Sequence, residues 1–160
     1  AAYNADEKEL CRLDEIYSAA KTPFEIRSGS EKVTRRFFKI CNNGQDSFTG
    51  LYKSLTEQGK CKGHQCIAYG LYMRDNGIEL SEGLAVYGYS ICSAIVTNCV
   101  KLVPLSQLAG QKILGESFEL ISSAAEKALF TDINDIGISG AGFDLRAMQH
   151  ERLYSRQYMS

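Results

Sequence analysis

Apolar residues recur at spacings of three and four along most of the chain, which is the pattern of amphipathic helices. A first helix is expected to end before Pro23. A second is expected to begin at Thr22–Glu25, where an N-cap threonine, a proline at the first helical position and a glutamate form a capping box. Its expected buried stripe is Ile26, Val33, Phe37 and Ile40. Further helices are expected over residues 47–58, 64–76, 81–102 and 106–130, and from 144 onwards.

The segment from Ser81 to about Leu102 has apolar residues on two helical faces. A helix with this pattern is buried over most of its circumference, so we expect it to be the buried central helix of a bundle. Within it, Gly83 to Val100 is uncharged and lies at the lower limit of bilayer-spanning length. Its serines and its asparagine favour a buried soluble helix, and a membrane-associated helix is the competing interpretation.

The absence of a strand pattern and of an internal repeat predicts an all-α helical bundle, a single domain over residues 1–160. Hydrophobic residues make up 44% and charged residues 23%, which is typical of a globular domain and unlike a disordered chain. Lys plus Arg total 18 and Asp plus Glu total 19. This near balance argues against binding to nucleic acid through bulk charge.

One short segment combines three potential metal ligands: Cys61, His64 and Cys66. These residues would suit zinc or nickel if a fourth ligand came from elsewhere in the chain. On a helix, however, His64 and Cys66 would point about 200° apart, so only a loop could bring them together. The leading prediction is no bound metal, and a small metal-binding helical protein using these residues is the alternative. The cysteine usage otherwise indicates a cytosolic, reduced protein without a disulfide framework.

The remaining motifs do not indicate catalysis. Gly137–Gly142 lacks the lysine and hydroxyl residue of a phosphate-binding loop, and His150 lacks the second histidine of a metalloprotease helix. No Ser/His/Asp, Cys/His or paired-carboxylate arrangement is evident, so we predict that the chain is not an enzyme. Residues 151–160 are rich in tyrosine and arginine, as interface hot spots are. The residues alone therefore predict a helical interaction protein.

Two longer motifs resemble a known family. The C-terminal sequence DLRAMQHERLYSRQYMS, Asp144–Ser160, closely resembles the C-terminus of the urease accessory protein F (UreF) family. The sequence NCVKLVPLSQLAGQ, Asn98–Gln111, is similar to a second family motif, and His64 with Gly70 matches a third. The resemblance covers about residues 63–160, and the earlier residues match only in their helical pattern.

This resemblance implies a non-enzymatic, UreF-like helical scaffold for assembly of the nickel active site of urease. Members of the family bind the accessory protein UreD, called UreH in some organisms. That complex recruits the GTPase UreG for GTP-dependent nickel insertion into apo-urease, and control of the GTPase has been proposed. Nickel and GTP are therefore expected through partner proteins, with no tightly bound cofactor. We also expect a cytoplasmic homodimer without nucleic-acid or membrane partners.

The resemblance also implies where the main partner binds. In the family the C-terminal tail is part of the contact with UreD/UreH, so residues 144–160 are expected to form a partner-binding helix and tail. Arginine suits such a contact because its rigid fork makes several directed hydrogen bonds. By matching position, the expected contact residues are His150, Tyr154, Ser155, Arg156 and Tyr158.

The chain departs from the family pattern in two places. Leu108 and Ala109 stand where the family usually has a polar-acidic pair. The family also begins with a segment rich in Phe, Pro, Gly and Ser, followed by two or three helices, that is not recognisable here. The chain is therefore expected to be about the last two-thirds of such a protein. Missing helices would expose an apolar face of the central helix, which favours self-association.

Overall fold

The computed structural model describes residues 6–41, 44, 46–136 and 140–154, and all regular structure in these ranges is helical. The prediction of an all-α fold is confirmed. A short 3-10 turn, Ile133–Asp135, precedes the last helix. The described residues form eight α-helices: α1 Glu7–Ala20, α2 Phe24–Ile40, α3 Phe48–Glu57, α4 Gln65–Asp75, α5 Leu80–Leu102, α6 Gln107–Glu116, α7 Phe118–Leu129 and α8 Ala141–His150.

The chain divides into two compact units. Unit 1 comprises Ala1–Asp75 and Asp132–Ser160, and unit 2 comprises Asn76–Thr131. In unit 1, α1 packs on α3, α3 on α4, and α2 on both α4 and α8. In unit 2, α6 and α7 pack on α5 and on each other. The expectation that residues 1–160 form a single domain stays a prediction.

Unit 1 has a well-enclosed core because each of its first four helices contributes a buried side chain. In α2 these are Thr34 and Phe38, whereas Val33 is 40% and Ile40 79% exposed. The expected stripe of α2 is thus wrong at those two positions, since the contacts with α4 and α8 set the rotation of the helix. The core cluster consists of Leu10, Leu13, Phe38, Tyr52, Leu55, Cys61, Ile67, Ala68 and Leu71.

Close helix contacts in unit 2 depend on two glycines. A Cβ at Gly110 would lie 2.8 Å from Cγ2 of Val100, and a Cβ at Gly88 would lie 3.1 Å from Cγ2 of Ile121. The first contact joins α6 to α5 and the second joins α7 to α5. Because glycine has no side chain, the helices approach more closely than any other residue would allow.

The expectation that the central helix is buried is wrong in this single chain. Within α5, whose residues are all described, Gly83 is the only buried residue, and Val86, Ile95 and Leu102 are each more than half exposed. The reason is that α5 is apolar on two faces while α6 and α7 cover only part of its surface. By length and composition alone, α5 could cross a membrane: its mean hydropathy reaches 1.4, and 6% of that window is buried.

The long helix expected over residues 106–130 is interrupted at Ser117. α6 ends at Glu116 and α7 begins at Phe118. The Ser117 hydroxyl donates a hydrogen bond to the Leu114 carbonyl at 2.7 Å. Glycine and serine close together are a frequent cause of such interruptions, and Gly115 lies two positions before Ser117.

Candidate partner-binding surfaces

The C-terminal helix α8 is held against α2 by one of its faces. Its partly buried residues are Asp144, Ala147 and Met148, and Glu151 continues the same face just beyond the helix. These positions follow the three- and four-residue spacing of one helical face. No residue of α8 is fully buried, so this helix lies on unit 1 rather than inside it.

Two polar contacts fix the C-terminal end of this helix to the start of α2. Nδ1 of His150 lies 2.6 Å from Oε2 of Glu25. The Glu25 backbone N–H donates to Oε1 of Glu151 at 3.4 Å. A carboxylate at a helix N-terminus satisfies an otherwise unpaired N–H and interacts favourably with the helix dipole. Glu151 therefore replaces the cap expected from Thr22. The predicted capping box is wrong, because α2 begins at Phe24 with no side-chain cap from its own N-cap residue.

The other large apolar side chains that the structure describes between residues 140 and 154 face solvent. Phe143 is 70% exposed, Leu145 60%, Leu153 52%, and Tyr154 is fully exposed. Apolar and aromatic side chains presented in this way are the usual anchors of protein interfaces. We call Phe143, Leu145, Leu153 and Tyr154 the C-terminal surface.

The structure describes only part of the predicted contact set. Tyr154 belongs to the C-terminal surface, whereas His150 is engaged within the chain by Glu25. Ser155, Arg156 and Tyr158 lie outside the described residues. The roles of all five residues in partner binding stay predictions.

Sequence reasoning missed Phe143 and Leu145 as surface residues, and Glu25 and Glu151 as their support. Hydrophobic periodicity does not indicate the first two, because the packing of α8 on α2 decides which of its faces is exposed. The cap on α2 gives no local signal, because Glu25 and Glu151 lie 126 positions apart in the chain.

Unit 2 has a second exposed apolar surface, formed by α5 and α7. An apolar groove of about 510 Å³ runs between α5 and α7, with Leu84, Tyr87 and Ile91 on one side and Leu120 and Ile121 on the other. The ring of Tyr89 in α5 stacks on that of Phe118 in α7 at 5.8 Å between centroids. We call seven of the exposed apolar residues of α5 and α7 the unit 2 surface: Val86, Tyr89, Ile91, Ile95, Leu102, Phe118 and Leu120.

A buried polar network joins α1, α3 and the start of α4. The Asp14 carboxylate accepts hydrogen bonds from the Tyr52 hydroxyl at 2.5 Å, from Lys62 N–H at 2.7 Å and from Gly63 N–H at 3.0 Å. The Tyr52 oxygen in turn accepts from His64 N–H at 2.8 Å. Burial, reinforced by the hydrogen bond to Asp14, raises the pKa of Tyr52 well above its usual value. Because Asp14, Tyr52 and His64 are almost inaccessible to solvent, we assign this network a structural role: it holds α1, α3 and the start of α4 together.

The His64 side chain is also enclosed. Its Nε2 lies 2.7 Å from the Ser18 hydroxyl oxygen, and its ring contacts that of Tyr17 at 4.7 Å between centroids. Its Nδ1 has no hydrogen-bond partner among the described residues. Burial lowers the pKa of His64, which favours the neutral ring.

The three residues of the candidate metal site have different surroundings. Sγ of Cys61 lies 3.5 Å from Sγ of Cys11, His64 contacts Ser18, and Cys66 lies next to Tyr17. Burial raises the pKa values of both Cys61 and Cys66, which disfavours the thiolate that binds metal. Across the described ranges, no group of three or more His, Cys, Asp or Glu side chains is arranged to hold a metal ion. The structure therefore gives no support to the metal-binding alternative.

Comparison with known sequences adds the decisive observation. The sequence model of the UreF family matches residues 1–117. The urease accessory protein UreF of Actinobacillus pleuropneumoniae serotype 5b is 34% identical over 161 residues, which cover 100% of this chain and 71% of that protein. The protein of the same name from Arthrobacter sp. FB24 is 30% identical over 155 residues, covering 94% and 68%. The chain belongs to the UreF family.

A third relative of the same name, from Haemophilus influenzae KW20, is 34% identical over 152 residues, covering 94% of this chain and 65% of its own length. The similarity to UreF therefore extends through the first part of the chain. The expectation that residues before 63 match only in helical pattern is wrong, because the family match begins at residue 1.

In this UreF-family chain, the motif Asn98–Gln111 spans the turn from α5 to α6. Gly110 of the motif is buried against Val96 and Val100. Leu108, also in the motif, is 81% exposed. The conformation of the motif therefore depends on the close α5–α6 contact, while Leu108 faces solvent.

Proposed function

We propose that this chain acts in urease maturation as a non-catalytic helical scaffold that binds UreD/UreH and recruits UreG to apo-urease. Membership of the UreF family supports the role in urease maturation. The related proteins are named as accessory proteins rather than catalysts, which fits a scaffold. The observation that carries the binding function is the C-terminal surface, which α8 presents on the outside of unit 1.

The UreD/UreH contact is assigned to the C-terminal surface and the tail that follows it. His150 and Glu151 orient this segment by binding the first turn of α2, so Leu153 and Tyr154 leave the helix from a fixed point. A segment oriented in advance loses less conformational entropy on binding than a free one. Arg156 and Tyr158 would extend the same contact as predicted from the family.

A pull-down against UreD/UreH tests this assignment. The proteins compared are the full chain, a form lacking residues 151–160, and the variants Leu153→Ala and Tyr154→Ala. We expect the shortened form to lose binding and each substitution to weaken it about ten-fold, because exposed anchor residues carry much of an interface's free energy.

Ile40→Ala is the matched control, since Ile40 is an apolar residue, 79% exposed, at the opposite end of α2. It is expected to bind like the unmodified chain. Binding that survives removal of residues 151–160 would contradict the site while leaving the scaffold function intact. Failure of every form to bind would contradict the scaffold function.

Recruitment of UreG is a separate step with its own measurement. A mixture of this chain, UreD/UreH and UreG with GTP is expected to elute as one complex and to increase nickel-dependent activation of apo-urease. Nickel and GTP enter through the partners, so the isolated chain is expected to retain neither after gel filtration. Activation that is unchanged when this chain is omitted would contradict its place in the assembly.

We further propose that the chain forms a homodimer through the unit 2 surface. A second copy is the proposed occupant, because α5 has two apolar faces and α6 and α7 cover only part of them. Large exposed apolar patches on a protein usually mark an interface. The proposed location is the cytoplasm, a reducing compartment, which suits the six free cysteines.

Light scattering during gel filtration measures the dimer directly. Ile95→Ser and Leu120→Ser are expected to weaken self-association at least ten-fold while Ile40→Ser does not. Flotation with anionic phospholipid vesicles tests the alternative that a membrane, rather than a second copy of the chain, covers α5. If the chain is monomeric and floats with the vesicles, the dimer proposal is contradicted and α5 is a membrane-associated helix.

A further inference from the structure

Two cysteines from distant parts of the sequence meet in unit 1. Cys11 lies in α1, and Cys61 lies in the connection between α3 and α4. Their Sγ atoms are 3.5 Å apart, although the residues are separated by 50 positions. A disulfide bond is about 2.05 Å long, so bond formation requires the sulfurs to approach by roughly 1.5 Å.

The two thiols differ in access. Cys61 is 4% exposed, and its burial raises the pKa of its thiol, whereas Cys11 is half-buried at the rim of the core. The Lys60 ammonium interacts electrostatically with both thiols and binds Oε1 of Glu7 at 3.0 Å. Thiol–disulfide exchange begins with the thiol that meets the small disulfide, so access decides which cysteine reacts first. Cys11 is therefore the thiol that a small oxidant reaches first, and Cys61 is the thiol placed to resolve the product.

We propose that Cys11 and Cys61 form a reversible oxidation site that reacts with low-molecular-weight disulfides such as glutathione disulfide. The Cys11 thiolate attacks one sulfur of the small disulfide, forms a mixed disulfide and releases one small thiol. The Cys61 sulfur then attacks the Cys11 sulfur, which forms the Cys11–Cys61 bond and releases the second small thiol. Two protein thiols are oxidised, one small disulfide is reduced to two thiols, and the two protons of the protein thiols pass to these products.

The bond would tie α1 to the segment that carries the buried polar network. Cys61 precedes Lys62 and Gly63, whose backbone N–H groups bind Asp14 of α1. Oxidation therefore adds a covalent link beside hydrogen bonds that already hold the same two elements. We expect the oxidised form to keep the reduced fold and to unfold at a higher temperature, since the link closes a loop of about 50 residues in the unfolded chain.

The experiment uses the full chain in glutathione buffers of increasing oxidised fraction, with thiols then blocked by N-ethylmaleimide. Peptide mapping is expected to show one intramolecular pair joining Cys11 to Cys61, with two fewer blocked thiols and full reversal by dithiothreitol. The Tm of the oxidised form is expected to rise by roughly 5 °C. This mapping on the unmodified chain does not depend on whether any variant folds.

Substitutions provide the matched comparison. Cys11→Ser and Cys61→Ser are each expected to abolish the pair, whereas Cys92→Ser, on a helix of unit 2, leaves it intact. A stable glutathione adduct on Cys11 without transfer to Cys61 would overturn the proposal. Disulfides that join two chains, or a pair formed by other cysteines, would overturn it as well.

Discussion

Unit 1 and unit 2 bury their side chains to very different extents. Unit 1 encloses apolar residues from four helices together with a polar network centred on Asp14. Unit 2, which is described throughout, buries mainly small residues and a few aliphatic ones, and leaves much of α5 and α7 open to solvent. Contacts within the chain therefore enclose the core of unit 1, whereas they leave much of the apolar surface of unit 2 uncovered.

The largest effect is expected from removing the centre of the unit 1 network. Asp14→Ala leaves two backbone N–H groups and the Tyr52 hydroxyl without their acceptor in a buried site. We expect the free energy of unfolding to fall by about 3–5 kcal/mol, measured by urea unfolding. Glu15→Ala, at the exposed neighbouring position, is expected to stay within about 0.5 kcal/mol. Equal losses of stability in the two variants would show that the polar network around Asp14 does not stabilise unit 1.

A pair of glycines in unit 1 separates backbone strain from crowding. Gly63 and Gly59 both have positive φ, at 87° and 75°, but only a Cβ at Gly63 would meet a neighbour, Thr56 Cγ2 at 2.8 Å. Gly59→Ala is expected to destabilise by about 1 kcal/mol, from the left-handed conformation alone. Gly63→Ala is expected to cost about 2–4 kcal/mol because the clash is added. Thermal unfolding of both variants measures the difference, and a smaller loss for Gly63→Ala would contradict the tight packing of unit 1.

Two glycines of α6 test how tightly unit 2 is packed. Gly110→Ala would place a Cβ 2.8 Å from Val100 Cγ2, so we expect a loss of about 1–3 kcal/mol. Gly115→Ala meets nothing within 4 Å in the same helix and is expected to stabilise by up to about 1 kcal/mol, since alanine is the better helix former. If urea unfolding shows a lower free energy of unfolding for Gly110→Ala and a higher one for Gly115→Ala, the close contact between α5 and α6 is confirmed. A neutral Gly110→Ala would instead indicate that the helices of unit 2 separate easily.

The smallest effect concerns the pH dependence of unit 1. Burial lowers the pKa of His64, with Lys21 and Arg27 acting in the same direction and Asp14 and Glu31 opposing it. The unfolded chain therefore binds more protons between the folded pKa and about 6.5, so stability falls as the pH decreases through that window. The slope is expected to be at most about 1.4 kcal/mol per pH unit.

Unfolding of the native chain and of His64→Gln between pH 5 and 8 measures this contribution. The variant is expected to lose less stability on acidification than the native chain. Parallel curves for the two proteins would show that His64 titrates alike in the folded and unfolded states, and that the buried site does not exclude charge.

The sequence predicted the helices well because their boundaries depend on local signals. Gly77, with a φ of 66°, follows the end of α4 as expected, and Ser106 caps α6 through its hydroxyl. The interruption at Ser117 was missed, since Gly115 and Ser117 also fit a continuous amphipathic pattern. The sequence predicts a partner contact in the C-terminal segment, but it gives no indication that Glu25 holds this segment in place.

What the sequence determined by itself was the helical class, most helix ends and the family, because caps, periodicity and motifs are properties of neighbouring residues. Only the tertiary structure decided which faces are covered. It placed Asp14 in a buried network, brought Cys11 next to Cys61, and left the apolar α5 largely exposed. These outcomes depend on which helices meet, and hydrophobic periodicity records only that a face is apolar, not whether this chain or another one covers it.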